Sequence, residues 1–178
     1  MRTAAGEVTL EAASLPQRGA LDNLMQLYMH DFSELMDPTP GGEFGEDGRF
    51  SPYPLDAYWA DDDHIALLIR LEGRLAGFAL LNRTSHSGLA VDRNVAEFFV
   101  ARNHRRSGVG FAAARAIFSR YPGVWEAAVI RRNQGAHAFW GRAIRGCPGA
   151  CDIEEMDLST ASWNGPIFRF SIAGGPQA

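Results

Sequence analysis

The stretch that decides the fold runs from Val95 to Phe111: Val95-Ala96-Glu97-Phe98-Phe99-Val100-Ala101, then Arg102-Asn103-His104-Arg105-Arg106-Ser107-Gly108-Val109-Gly110-Phe111. An apolar run of strand length leads into a basic, glycine-containing loop. Beyond it, Val109, Ala112, Ala113, Ala116 and Ile117 recur at helical spacing, which predicts a helix over 108–120. Glycine lets the backbone take positive φ and come close to a ligand. The first N–H groups of a helix have no intrahelical partner and point forward, so this strand–loop–helix is built to hold an anion. Arg105 and Arg106 add charge-assisted donors.

Downstream, Tyr121-Pro122-Gly123 stops the helix, 124–130 reads as a buried strand, and Asn133 can cap a helix reaching about Arg145. Two further strands are expected near 153–158 and 167–173. Upstream, apolar runs at 65–71 and 75–82 flank Glu72-Gly73-Arg74, which predicts an antiparallel hairpin. A first strand is expected at 8–12. A helix follows Pro16, with Leu21, Leu24, Met25, Leu27 and Tyr28 on its apolar face. Residues 37–49, DPTPGGEFGEDGR, are loop chemistry of a length that suggests mobility or function. The order predicts a mixed α/β sheet with one parallel crossover near its middle.

Composition narrows the chemistry. The 178 residues predict one domain over 1–178 with a substantial core, 46% of them being hydrophobic. All 17 basic residues are arginine. The absence of lysine excludes Schiff-base chemistry and the lysine of a Walker loop. The net charge of −4 hides a strong segregation. Residues 1–92 carry 6 Arg against 15 acids, residues 93–145 carry 10 Arg against 2 acids, and residues 146–178 carry 1 Arg against 4 acids. A basic segment inside an acidic chain points to an anionic ligand there and to no general nucleic-acid binding. Met1 to Ala13 has no long apolar run, and no stretch is long and apolar enough to span a bilayer. A cytoplasmic protein without membrane association is the expectation. Cys147 and Cys151 bracket Pro148-Gly149-Ala150 and match neither a metal-ligand set nor a disulfide framework. Asp61-Asp62-Asp63 reads as a solvated run. No metal is expected.

By itself the loop admits three readings: a plain turn, a dinucleotide loop through Gly108-x-Gly110-x-x-Ala113, or a CoA loop. The dinucleotide pattern wants an acid about twenty residues on, where Arg131-Arg132 stands, and several βαβ units, for which no room remains. The CoA reading rests on two signatures. Arg105-x-x-Gly108-x-Gly110 resembles the pyrophosphate loop of the GCN5-related N-acetyltransferases (GNAT). Asn133-x-x-Ala136-x-x-Phe139-Trp140, 28 residues after Arg105, resembles that family's second signature. The likeness covers about 65–145.

The resemblance implies the GNAT fold: a mixed, mostly antiparallel sheet of about six or seven strands flanked by about four helices. It also implies transfer of an acetyl group from acetyl-CoA to an amine. Backbone amides of Arg105, Arg106, Ser107, Gly108, Val109, Gly110 and Phe111 would then cradle the diphosphate. Phe99, Val100 and Ala101 would pair with the pantetheine arm, and an N–H near Val100 would face the thioester oxygen. Asn133 would bond the arm, with Ala136, Phe139 and Trp140 beside it. Glu97 stands where many members carry a catalytic carboxylate. One departure is plain: the family's usual acid, a tyrosine, is here Trp140, whose indole does not shuttle protons. Water, or His137 in the turn before, remains as proton source for the leaving thiolate. Tyr28, Asp31 and Phe32 are acceptor candidates, since aromatics and carboxylates suit a small cationic amine. Members are often homodimers. The competing classes are a non-catalytic CoA- or nucleotide-binding sensor and an NADP-dependent reductase.

Overall fold

The computed structural model describes residues 1–35 and 42–174. Its strands are β1 (Arg2–Thr3), β2 (Gly6–Ala12), β3 (Ile65–Leu71), β4 (Arg74–Asn82), β5 (Arg93–Val100), β6 (Gly123–Ala128), β7 (Ala150–Ser159) and β8 (Asn164–Ile172). Its α-helices are α1 (Arg18–Ser33), α2 (Val109–Arg120) and α3 (Gln134–Arg145). The strands form one sheet in the order β1-β2-β3-β4-β5-β6-β8-β7. Among the described strands only β5 and β6 run parallel; the other neighbouring pairs are antiparallel.

The hairpin forms because Glu72 (φ 49°) and Gly73 (φ 74°) both adopt positive φ, the geometry of a tight primed turn. Residues 76–81 of β4 are buried without interruption, because helices cover both faces of the sheet. On one face α1 lays Leu21 and Met25 over Leu68, Phe78, Leu80 and Phe99. On the other, α2 and α3 pack Phe118, Trp140 and Ile144 against Leu81, Trp125 and Phe168. The short side chains of Ala112, Ala113 and Ala114 are all buried and bring α2 close to the sheet.

Three details differ from expectation. Eight strands are present among the described residues, because the two-residue β1 folds back onto β2. Three α-helices are present among the described residues; after Pro52 and Pro54, only a single 3₁₀ turn forms, at Asp56–Trp59. Leu27, expected on the apolar face of α1, is 54% exposed. Of the expected loop at 37–49, residues 37–41 lie outside the described residues, and Gly45 N–H closes a turn on Arg49 O (2.8 Å). Cys147 is buried after α3 and Cys151 is exposed on β7; both are free thiols. Asp61 accepts from the backbone of Asp63 and His64 and pairs with the His64 ring at 2.7 Å.

Candidate functional site

The parallel pair is short. β5 and β6 meet only through Arg93–Trp125 and Asn94–Glu126. Beyond that point β5 follows β4 and β6 follows β8, so a cleft opens between them. Two cavities occupy it. The larger, about 540 Å³, is lined by Val100, Arg105, Arg106, Gly108, Gly110 and Phe139, among others. The second, about 460 Å³, holds Glu97, Tyr53, Asn94, Trp140, His86 and Trp163. Tyr28, Phe32, Phe98, Asn133 and Ala136 border both, so the cavities share a wall.

The groove end is made by the loop before α2. Gly108 takes φ 88° and Arg106 φ 61°, and the first bond of the helix runs from Ala112 N–H to Gly108 O (3.0 Å). The N–H groups of Val109, Gly110 and Phe111 therefore have no partner within the helix. Gly110 also admits the Phe139 ring, which a Cβ there would meet at 3.2 Å. Arg105 is held in place: its Nε donates to Val100 O (2.7 Å), its Nη2 pairs with Asp31, and its guanidinium lies 5.6 Å from the centre of the Phe99 ring. Arg106 and Arg142 line the same groove. Arg142 carries no expected role from sequence; it stands over Phe111 at 5.8 Å.

Strand β5 supplies the middle of the cleft. Ala101 N–H bonds Ala76 O (2.8 Å), and Val100 faces Gly77 in the register. Hydrogen-bonded and non-bonded pairs alternate in an antiparallel ladder. Phe98 and Val100 are thus the residues whose N–H groups turn away from β4, toward the cleft.

A bulge then decides where Glu97 goes. Leu80 pairs with Glu97 and Leu81 with Val95, so Ala96 is the extra residue. Such an insertion re-aims side chains and bends the strand. Val95 and Phe98 pack on the α2/α3 side, Ala96 and Phe99 on the α1 side, and the Glu97 carboxylate accepts from Tyr53 Oη (3.0 Å). Burial pushes the Glu97 carboxyl above its ordinary value, against the hydrogen bonds of Tyr28 and Tyr53. Burial and the Glu97 charge push both phenols up, so they remain protonated donors.

The remaining expected residues fall into place unevenly. Asn133 caps α3, its Oδ1 accepting from Ala136 N–H (2.9 Å). The Val109 side chain is buried in the core, and Ser107 Oγ donates to His104 O (2.7 Å); neither lines a cavity, nor does Ala101. Asp31, expected on the acceptor side, sits on the groove side between Arg102 (2.8 Å) and Arg105. His137 lines neither cavity: it pairs with Glu155 at 2.6 Å and stacks on Phe168. Tyr53, His86 and Trp163 carry no expectation from sequence, since they lie in segments without periodicity. A Pro-Tyr-Pro run at 52–54 is the one local sign that Tyr53 is held rigidly.

The sheet, with its single parallel pair, is not the doubly wound parallel sheet that a dinucleotide loop requires. Comparison with known proteins agrees. Residues 21–144 match the model of the Acetyltransferase (GNAT) family. No curated protein sequence matches. Among solved structures, Mycobacterium smegmatis RimJ in complex with CoA-disulfide is 18% identical, covers 96% of this chain and 84% of its own, and superposes with a TM-score of 0.61. An acetyltransferase from Thermus thermophilus is 13% identical over 94% of this chain and 97% of its own, with a TM-score of 0.61. A spermidine N-acetyltransferase SpeG chimera from Vibrio cholerae and hSSAT is 12% identical over 94% and 96%, with a TM-score of 0.53. At these identities the likeness is one of fold.

Proposed function

The chain belongs to the acetyltransferase (GNAT) family, and from that premise we propose that it moves the acetyl group of acetyl-CoA to the amine of a small cationic acceptor, by direct attack in a ternary complex. The observation that carries this reading is the divided cleft: three arginines and a helix N-terminus at one end, a half-buried carboxylate among tyrosines at the other, and Phe98 between.

The groove fits the ligand's chemistry. Arg105, Arg106, Arg142 and the open N–H groups of 106–111 suit a polyanion. Phe98, Ala136 and Phe139 suit an apolar arm. Of the expected Phe99 to Ala101 segment, Phe99 and Ala101 turn their backbone groups to β4, so the cleft-facing backbone of Phe98 and Val100 pairs along that arm instead. Asn133 donates from Nδ2, its Oδ1 being occupied by the cap. When bound, acetyl-CoA supplies an activated acyl carbon on a good leaving group. The Val100 N–H donates to the carbonyl oxygen as negative charge grows there; such donors contribute about 3–4 kcal/mol where they have been removed. Glu97 takes the proton of the acceptor ammonium, the step that makes the amine a nucleophile. Trp140 packs against Phe98 (5.1 Å between ring centres) and shields the reacting atoms, and water in the open groove carries the second proton of the attacking nitrogen to the leaving sulfur, so that amide and free thiol form together. The whole chain acts as one domain. No helix among the described residues is long and apolar enough to cross a membrane, which accords with a cytoplasmic enzyme. A homodimer is the assembly the resemblance implies, and sedimentation velocity tests it.

Calorimetric titration with CoA tests the groove. Gly108→Asp sets a carboxylate and a left-handed strain at the anion site, with Thr3 no nearer than 3.6 Å to its Cβ, so the fold should survive. Affinity should fall at least about tenfold, and likewise in Arg105→Ala. Unchanged affinity in both variants would remove the loop from the binding site.

A further inference from the structure

The acceptor-side cavity has a wall that neither sequence signature reaches. His86, in the loop after β4, lies against Trp163, in the turn between β7 and β8, with ring centres 4.4 Å apart. Both line the cavity. The loop is fixed by an unusual device. Glu126 on β6 is wholly buried (0% exposed) and accepts hydrogen bonds from His86 N (2.9 Å), Ser87 N (3.4 Å), Ser85 Oγ (3.2 Å) and Ser87 Oγ, with Arg169 Nη1 at 3.4 Å. A buried carboxylate is costly unless so paired. Here the pairing sets the backbone of His86 itself, and so the place of its ring.

The chemistry of the enclosure is one-sided. Glu97 is the one carboxylate among the described lining residues, and none of them is an arginine. The contrast with the arginine-lined groove is sharp. Burial holds the His86 imidazole below its ordinary value, against the pull of Glu126, which favours its uncharged form. A carboxylate or phosphate on the acceptor would therefore be desolvated beside Glu97 without a counter-charge. The rings of Tyr28, Phe32, Tyr53, Trp140, His86 and Trp163 instead offer flat apolar surface and aromatic faces to a cationic amine. The Trp163 Nε1–H is buried without a partner.

We propose that His86 and Trp163 form the specificity wall of the acceptor cavity, with Glu126 as their positioning residue, and that the acceptor is an amine with an aromatic or apolar body and no anionic group. This rests on the reading that the cavity at Glu97 receives the acceptor.

The test compares phenethylamine with phenylalanine, two amines of similar basicity that differ in the carboxylate. Acetylation by acetyl-CoA is followed by mass detection of product. Phenethylamine should be favoured in kcat/KM by at least about a hundredfold. His86→Ala and Trp163→Ala should raise the KM for phenethylamine about tenfold or more while leaving the KM for acetyl-CoA unchanged. His86→Arg, which brings a cation to the wall, should shift the preference toward phenylalanine by about tenfold or more. Circular dichroism verifies that each variant is folded. Comparable use of the two amines, transfer confined to carboxylate-bearing amines, or unchanged amine KM in both alanine variants would overturn the wall and leave the transferase reading standing. No transfer to any amine, charged or uncharged, would overturn the transferase reading and the wall with it.

Discussion

Replacing Glu97 by glutamine isolates the proton step. Glutamine keeps the shape and can still accept from Tyr53 Oη, now 3.0 Å from the Glu97 carboxylate, so only the basicity is removed. An alkylamine with a pKa of about 10.4 is neutral to only about one part in a thousand at pH 7.4. If Glu97 takes the proton of the bound ammonium, the wild type uses that abundant form. Its kcat/KM is then level from the titration of Glu97 up to that of the amine. The glutamine variant must wait for the neutral amine, so its kcat/KM climbs tenfold per pH unit until the amine titrates. At pH 7.4 the deficit is about a thousandfold, about 4 kcal/mol, inside the range of about 10²–10⁴ expected of general-base catalysis. Near pH 10 the two enzymes should converge. The lower break of the wild type should lie above the ordinary carboxylate value, because burial raises the Glu97 carboxyl more than the Tyr28 and Tyr53 hydroxyls lower it. Initial rates at subsaturating amine across pH 5–10, with buffers overlapped, give both profiles. Profiles of the same shape in the two enzymes would refute Glu97 as the base.

Three more perturbations probe the surroundings of Glu97, the β4–β5 pairing and the Asp31 ion pairs. Tyr53→Phe removes one of the two bonds that hold Glu97 down, so the lower break of kcat/KM should move to higher pH; an unmoved break would separate Tyr53 from the proton step. Gly77→Ala should destabilise the protein by about 3 kcal/mol or more, since the new Cβ would meet Phe99 O at 2.0 Å where β4 and β5 pair; an unchanged melting temperature would contradict that packing. Burial alone would raise the Asp31 carboxyl, but the hydrogen bonds of Arg105 and Arg102 outweigh it and the net direction is down. The stability Asp31 contributes is therefore complete above its unfolded value, about 3.9, and is lost as pH falls through the lowered folded value. Asp31→Asn should lower the urea midpoint at pH 7 and narrow the gap from wild type at pH 3; equal midpoints at pH 7 would show that the pair contributes nothing.

How much the sequence reveals follows from the range of each interaction. The passage from β5 through its loop into α2 is written locally, in an apolar run, a basic glycine loop and an alanine-rich helical period. Its place and type are legible to within two residues at each end. The face that Glu97 occupies is not. The bulge at Ala96 is a choice of register against β4, and without it the strand's alternation would carry Glu97 to the opposite side of the sheet. Tyr53, His86 and Trp163 come from turns, where no periodicity ties a residue to a face. Arg105 shows a subtler limit. Its position beside the glycines is visible in the sequence. Its commitment to Val100 O and to Asp31, 74 residues earlier, exists only in the folded chain. Leu27 errs in the other direction: apolar at the right spacing, it lies beyond the edge of what α1 covers.

The proposed reaction is acetyl transfer within the divided cleft. The most direct measurement incubates the enzyme with acetyl-CoA and a panel of amines and detects acetylated amine by mass. A thiol dye would be confounded by the exposed Cys151. The protein itself adds little background, having no lysine to be acetylated. The expected result is an acetylated amine whose formation depends on enzyme and collapses in Gly108→Asp and, at neutral pH, in Glu97→Gln. Saturable binding of CoA with no acetylated product from any amine would contradict it.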